Sequence, residues 1–194
     1  MMPMSNHLPD LNHLVSQIAL DNNQHAYKQL FKSLFPSVFR FSFTLLNSRE
    51  LAEEIASDVM FVLWKSRLKL MEIENIKVYA FVIARNLSLN ALNKNSRQVL
   101  VSIEDIEIEV FLDNLTPEQI FINDELGKKL EIAIQTLPNR CKLVFKLIKE
   151  EGLSYKDTAT ILNISTKTVD AHLVTAIKKL TAILKTEFNL MNSF

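Results

Sequence analysis

Apolar residues recur at helical spacing through most of the chain. From near His25, the residues Tyr27, Leu30, Phe31, Leu34 and Phe35 follow the i, i+3, i+4 intervals of a helix buried along one side. After Pro36 a second helix is expected over Val38 to Leu46. Ser48 and Arg49 open a longer one, in which Leu51, Ile55, Val59, Val62 and Leu63 form the packing stripe. Glu50, Glu53, Glu54, Ser57 and Asp58 lie on its other side. The pattern weakens from Arg67 to Lys77 and returns over about Lys77 to Lys94 with Val78, Tyr79, Phe81, Val82, Ile83, Leu87, Leu89 and Leu92. A helical pattern resumes from Pro117 through Ile134. Leu137-Pro138-Asn139 then starts a helix over Arg140 to about Lys149, with Pro138 suited to a first turn where its missing N–H costs nothing. Glu151-Gly152-Leu153-Ser154 breaks it, and two helices follow, Ser154 to Leu162 and Ser165 to Lys185.

These elements predict an all-α protein of two small helical domains: residues 25–98 and 117–187, joined by a linker over 99–116. Residues 1–24 and 188–194 read as terminal tails. In the linker, Ile103, Ile106, Ile108 and Val110 alternate with Glu104, Glu107 and Glu109, with no strand partner nearby; a short isolated strand is the alternative there. Composition supports the helical class. With two glycines and five prolines in 194 residues, neither sheet turns nor Gly-rich phosphate loops have much material. The single cysteine, Cys141, excludes an internal disulfide and sits in an apolar helical stretch, as expected of an inert buried thiol. The N-terminus lacks a basic start and an apolar core of signal-peptide length, and no apolar run approaches the roughly 18 residues of a membrane span. A cytoplasmic protein without membrane insertion is expected.

Net charge is zero, yet the zero is a sum of unlike segments. Residues 1–102 carry +3, 103–126 carry −8 and 127–194 carry +5. The two domains are basic and the segment between them is acidic, an arrangement that would let the linker screen the positive surfaces within a Debye length of roughly 8 Å.

The segment from Ser154 to Leu173 is the most informative. Ser154 suits the cap of one helix and Ser165 the cap of the next; Ala159 is small where a second helix must cross closely; Asn163 tolerates the left-handed conformation of a tight turn; Ile164 plugs the core. Val169, Leu173, Ala176, Ile177 and Leu180 would seat the second helix inward. Thr166, Lys167, Asp170, His172, Thr175, Lys178 and Lys179 would face outward, a set of hydrogen-bonding and cationic groups suited to base edges and phosphates. The plainer reading is an amphipathic hairpin with a solvated polar face; the caps, the turn and the local positive charge favour a DNA-binding helix-turn-helix.

Taken alone, this motif resembles both sigma factor region 4 and the LuxR-type domain of transcriptional regulators that bind duplex DNA without polymerase. The N-terminal half distinguishes them. Leu51-Ala52-Glu53-Glu54-Ile55-Ala56-Ser57-Asp58-Val59-Met60-Phe61-Val62-Leu63-Trp64 resembles the polymerase-binding helix of sigma region 2, and Tyr79-Ala80-Phe81-Val82-Ile83-Ala84-Arg85-Asn86 resembles the promoter-melting helix after it. Together with Leu137-Pro138-Asn139-Arg140 the resemblance covers about Ala26 to Leu184. The chain thus resembles the sigma-70 family, in its short extracytoplasmic function class and closest to Bacteroidetes-type members, which are typically held by a membrane-bound anti-sigma factor.

The resemblance implies that Glu54, Ser57, Asp58 and Phe61 dock on the clamp coiled coil of core RNA polymerase, with Trp64 in the core instead. It implies that Lys69, Lys77, Tyr79, Arg85, Asn86, Asn90 and Lys94 meet the minus-10 element of promoter DNA. It places Ser165, Thr166, Lys167, Thr168, Asp170, His172, Thr175 and Lys178 at the minus-35 element. Tyr79 serves equally well as a core residue. The chain departs from the usual pattern in having Ser57 where Gln is frequent, Asn90 where Asp is frequent, and Asp170 with His172 where cations are frequent, which makes its recognition helix less basic. Catalysis, a metal and a cofactor are not expected: His7, His13, His25 and His172 have no metal-site spacing, Cys141 has no evident local partner, and no nucleophile or phosphate-loop motif is present.

Overall fold

A computed structural model describes residues 10–95 and 125–191, which fall into two compact units divided near residue 99. The first unit holds α1 (Leu11–Asp21), α2 (Gln24–Leu46), α3 (Arg49–Lys65), a 3-10 segment (Arg67–Glu72) and α4 (Ile76–Asn95). The second holds α5 (Glu125–Gln135), α6 (Asn139–Phe145), a π-helical segment (Lys146–Glu150), α7 (Tyr155–Leu162) and α8 (Thr166–Met191). No strand occurs among the described residues. The acidic linker over 99–116, with its alternative of a strand, and the start of the helix expected from Pro117 lie outside them.

Helix boundaries are written by short polar side chains. Asp10, Asn23, Ser48 and Ser154 each accept a hydrogen bond from a backbone N–H of the first turn, satisfying donors that have no partner inside the helix. Three helices end on an asparagine in the left-handed region, Asn22, Asn47 and Asn163, at φ of 51°, 49° and 55°. In a chain with so little glycine, asparagine takes the C-terminal position that glycine usually fills. At Asn22-Asn23 and Asn47-Ser48 one residue ends a helix and the next caps its successor, so each reversal of direction needs only two residues.

Three differences from the sequence pattern have clear causes. Residues 11–21, expected to belong to a tail, form α1, which buries Leu14, Val15, Ile18 and Ala19 against α2 and the 3-10 segment. The break expected at Pro36 does not occur: α2 runs through it. A proline inside a helix costs about 3 kcal/mol, but Leu30, Leu34, Val38, Phe41 and Leu45 lie on the buried face either side of it. Each such side chain contributes about 1.5–3 kcal/mol on burial, more than enough to hold the helix through. At the other end α8 extends to Met191, past the expected domain boundary at 187.

The core of the first unit is formed by Ile18, Leu30, Leu34, Val38, Val59, Met60, Leu63, Leu70 and Phe81, with Phe41 edge-on to Phe81 at 5.2 Å. Trp64 is half-buried: Tyr27 packs on it at 4.8 Å, while the Tyr27 hydroxyl donates to the Met60 carbonyl. In the second unit, Ala133, Ile134, Leu137, Cys141, Ala176 and Leu180 gather α5, α6 and α8 around one centre. Leu153, Thr158, Ala159, Ile161, Leu162, Val169 and Leu173 are buried in the helix-turn-helix. The helix begun at α6 does not run on regularly to Lys149; it widens into the π segment and stops at Gly152, whose φ of +69° glycine adopts without strain.

Candidate functional site

On α3, Glu54, Ser57, Asp58 and Phe61 are all exposed and share one face, at i, i+3, i+4 and i+7. Phe61 is 62 % exposed, although its neighbours Met60 and Leu63 are almost wholly buried. This exposed ring thus shares its face with two carboxylates, Asp58 one turn before it and Glu54 two turns before it, and with Lys65 one turn after it. Ser57 donates its hydroxyl to the Glu53 carbonyl, one turn back. Beside this face, Leu51 and Ile55 of α3 and Leu87 and Ala91 of α4 line a groove of about 550 Å³. Its polar groups are Glu54 and Asp58 on α3 and Asn90, Asn93 and Lys94 on α4. The groove thus brings together two of the residues expected to meet polymerase and two expected to meet the minus-10 DNA.

The remaining minus-10 candidates are spread along the 3-10 segment and α4. Lys69 and Asn86 are exposed, whereas Lys77, Tyr79 and Arg85 are half-buried. Burial holds the Arg85 guanidinium below its ordinary range; one of its terminal nitrogens donates to Asn86 Oδ1 at 3.1 Å, while its Nε is enclosed by protein. Arg67, not singled out from the sequence, anchors the segment. Its Nε donates to Asn22 Oδ1 at 2.8 Å, and its guanidinium lies 4.8 Å from the centre of the Trp64 ring. The C-terminal cap of α1 therefore holds the segment that follows α3. Leu11, Leu14, Val15 and Ile18, at i, i+3, i+4 and i+7 behind the cap-forming Asp10, were the signal that identifies α1.

In the second unit the helix-turn-helix forms as its residues predict. The Ser154 hydroxyl accepts from the Asp157 N–H at 3.0 Å, and Asn163 turns the chain between α7 and α8. Ser165 caps α8 by accepting from the Thr168 N–H at 3.0 Å, and the hydroxyls of Ser165 and Thr168 bond to each other at 2.8 Å. These two residues, expected to read DNA, close the helix end. Thr166, Lys167, Asp170, Thr175 and Lys178 are exposed as expected.

Three positions differ from expectation. His172 does not face outward: it is half-buried, with Nδ1 3.8 Å from Cys141 Sγ and Nε2 enclosed by protein. Burial, aided by the positive charge of Arg140, holds its imidazole below the usual pKa, so the neutral ring is favoured. Cys141 therefore does have a neighbour; its thiol is pushed up by burial, against the opposing influence of Lys179, and stays in the unreactive protonated form. Ile177, expected inward, is 42 % exposed, and so is Val174. With 3.6 residues per turn, position 177 lies beyond the edge of the arc defined by Val169, Leu173, Ala176 and Leu180.

Beneath α5 and α6 lies a polar cluster that sequence patterning did not reveal. Lys142 is buried and donates to Gln135 Oε1 at 3.2 Å; Gln135 donates in turn to Glu131, and Lys146 lies 3.7 Å from both Glu131 and Glu150. Burial pulls the Lys142 amine down to about 8, aided by Lys146 and opposed by Glu131.

Comparison with known proteins agrees with this division. Residues 30–98 match Sigma-70 region 2 and residues 128–180 match Sigma-70 region 4. An ECF RNA polymerase sigma factor, SigE of Mycolicibacterium smegmatis, is 22 % identical over 153 residues; the match takes in 76 % of this chain and 57 % of that relative's length. Among solved structures, the sigma factor RpoE of Bartonella quintana, in complex with the anti-sigma factor NepR, superposes with a TM-score of 0.62 at 22 % identity, covering 82 % of this chain and 96 % of that one. CnrH, in complex with the cytosolic domain of CnrY, gives a TM-score of 0.57 at 17 % identity over 90 % and 97 % of the two chains. With a region 2 match on the helical bundle and a region 4 match on the helix-turn-helix, this chain belongs to the sigma-70 family, in the two-domain form of its extracytoplasmic function class.

Proposed function

We propose that the chain joins core RNA polymerase, directs it to specific promoters and helps to open them. The observation that carries this reading is the exposed Phe61 among Glu54, Ser57 and Asp58, borne on a region 2 bundle in a chain that also carries a region 4 helix-turn-helix. An exposed aromatic that shares its face with two carboxylates suits a basic, partly apolar helical surface such as the polymerase clamp coiled coil.

Promoter opening in this reading needs no chemistry on DNA. Lys69, Lys77, Tyr79, Arg85, Asn86, Asn90 and Lys94 would bind the minus-10 element as single strand, offsetting the few kcal/mol that unstacking and unpairing cost. On α8, Thr166, Lys167, Asp170, Thr175 and Lys178 would engage the minus-35 duplex, while Ser165 and Thr168 hold the helix end and His172 seats the helix on α6. Among the described residues no helix is long and apolar enough to cross a membrane. We take the chain to act in the cytoplasm as a binding factor and not as an enzyme. The solved RpoE structure, in complex with the anti-sigma factor NepR, supports control by an anti-sigma factor, here taken to be membrane-borne.

The direct test is a pull-down of the full chain with bacterial core RNA polymerase, followed by transcription from a library of randomised promoters. Core-dependent transcripts sharing two sequence elements are the expected result. Dimeric binding to duplex DNA with no affinity for core would favour a LuxR-type regulator and refute the sigma-factor reading.

A further inference from the structure

The outward face of α8 is not uniformly polar. Lys167, Ala171, Val174 and Lys178, at i, i+4, i+7 and i+11, fall within about 60° of one another around the helix, and all four are exposed. Val174 keeps 42 % of its surface in water, opposite the buried arc of Val169, Leu173, Ala176 and Leu180. A cation stands at each end of this stripe and two apolar side chains occupy its middle.

Three of the nearby hydroxyls already have partners. Ser165 and Thr168 bond to each other, and Thr175 donates to the Ala171 carbonyl at 2.8 Å. Along the stripe itself, the middle therefore offers a groove apolar contact, with Asp170 and Thr175 on its two flanks. In the major groove of B-DNA one base presents an apolar group, the 5-methyl of thymine. The two lysines are separated by about 16 Å along the helix axis, so Lys178 can reach backbone phosphates while the N-terminal part of the stripe meets base edges.

We infer that Ala171 and Val174 read thymine through its 5-methyl group, so that the upstream promoter element of this sigma factor carries thymine where it faces the middle of α8. The inference rests on the proposed role of α8 at the minus-35 element. Cytosine in the same place leaves a gap against Val174. Adenine sets its exocyclic amine against an apolar side chain, where the donor loses water without gaining a partner.

Deoxyuridine isolates the methyl group, because it retains every hydrogen-bonding group of thymidine. Holoenzyme assembled from the full chain and core polymerase would be given a promoter that it selected from the randomised library, with each upstream thymidine replaced in turn by deoxyuridine. Transcript yield at subsaturating holoenzyme is expected to fall by about 4- to 10-fold at one or two positions, the scale of a lost methyl contact. With Val174→Ala, a substitution on an exposed face that raises helix propensity, the same replacement should change yield by less than about 2-fold. Deoxyuridine tolerated at every upstream position would overturn the inference, as would a Val174→Ala holoenzyme that retains the whole penalty. If no promoter in the library yields a core-dependent transcript, the sigma-factor reading fails and this inference fails with it.

Discussion

In the proposed reading the two units each offer one helix to a partner, and they do so with opposite chemistry. On α3 a large ring, Phe61, stands in water among carboxylates; on α8 two lysines flank small apolar side chains. The ring carries more apolar area than any side chain of the α8 stripe, and its desolvation would contribute about 1.5–3 kcal/mol to a complex. Ala171 and Val174 carry little area, so affinity at α8 must come from cations and selectivity from fit to the groove. The first contact should therefore depend on one or two side chains and tolerate salt. The second should be spread over several weak contacts and weaken steeply as salt rises.

The sharpest way to break this contrast is Asp58→Arg, which sets a cation against the basic surface that α3 is proposed to meet. Core affinity should fall by about 2–5 kcal/mol, the range for a desolvated charge contact, with thermal unfolding unchanged because Asp58 is exposed. Undiminished retention on immobilised core would remove the clamp assignment. On α8, Lys167→Ala should weaken minus-35 binding by about 1–3 kcal/mol if the ammonium meets a base edge. A smaller loss, equal for all DNA sequences and accompanied by a shallower salt dependence, would make Lys167 a phosphate contact.

A third prediction concerns the interior that supports α8. Lys142 has its pKa lowered from 10.5 to about 8 in the folded chain. Because the fold disfavours the charged amine, stability is reduced below pH 8 and recovers as pH rises from about 8 towards 10.5. Lys142→Met should raise stability at pH 7 by about 1–2 kcal/mol, allowing for solvent screening, and its advantage should shrink by pH 9.5. Unfolding midpoints at the two pH values check this; an advantage that grows with pH would show that the amine is not destabilised by burial. The smallest effect is expected at the turn. Asn163→Ala places a residue without a local hydrogen-bonding side chain at φ 55° and should cost about 1 kcal/mol, while Asn163→Gly should be nearly neutral. Equal stabilities in urea titrations would show that the turn relaxes.

Much of this protein was legible in the chain alone. Ser48, Ser154, Ser165 and Asn163 mark their boundaries because a cap or a left-handed turn is a local event, settled by one side chain and the backbone within four residues of it. The same locality exposes the acidic face of α3 and the helix-turn-helix, whose periodicity is complete within about 20 residues. Even α1, which falls where a tail is expected, has its capping aspartate and its apolar stripe in the sequence.

Only the tertiary structure decided what depends on a partner distant along the chain. Pro36 should end a helix, and α2 continues because packing on both sides of the proline outweighs its local cost. His172 has the spacing of a flank position, and the proximity of Cys141, 31 residues earlier, turns it from a candidate DNA contact into a seat for the recognition helix. Lys142 falls into a buried network through Gln135, and Val174 is left in water because no other helix covers that side of α8 among the described residues. Local propensity and periodicity specify which segments become helices and roughly which side of each is apolar. Which side chain at the margin of that apolar side is covered depends on how closely the next helix approaches, and that distance is set by packing across the unit and not by any short stretch of sequence.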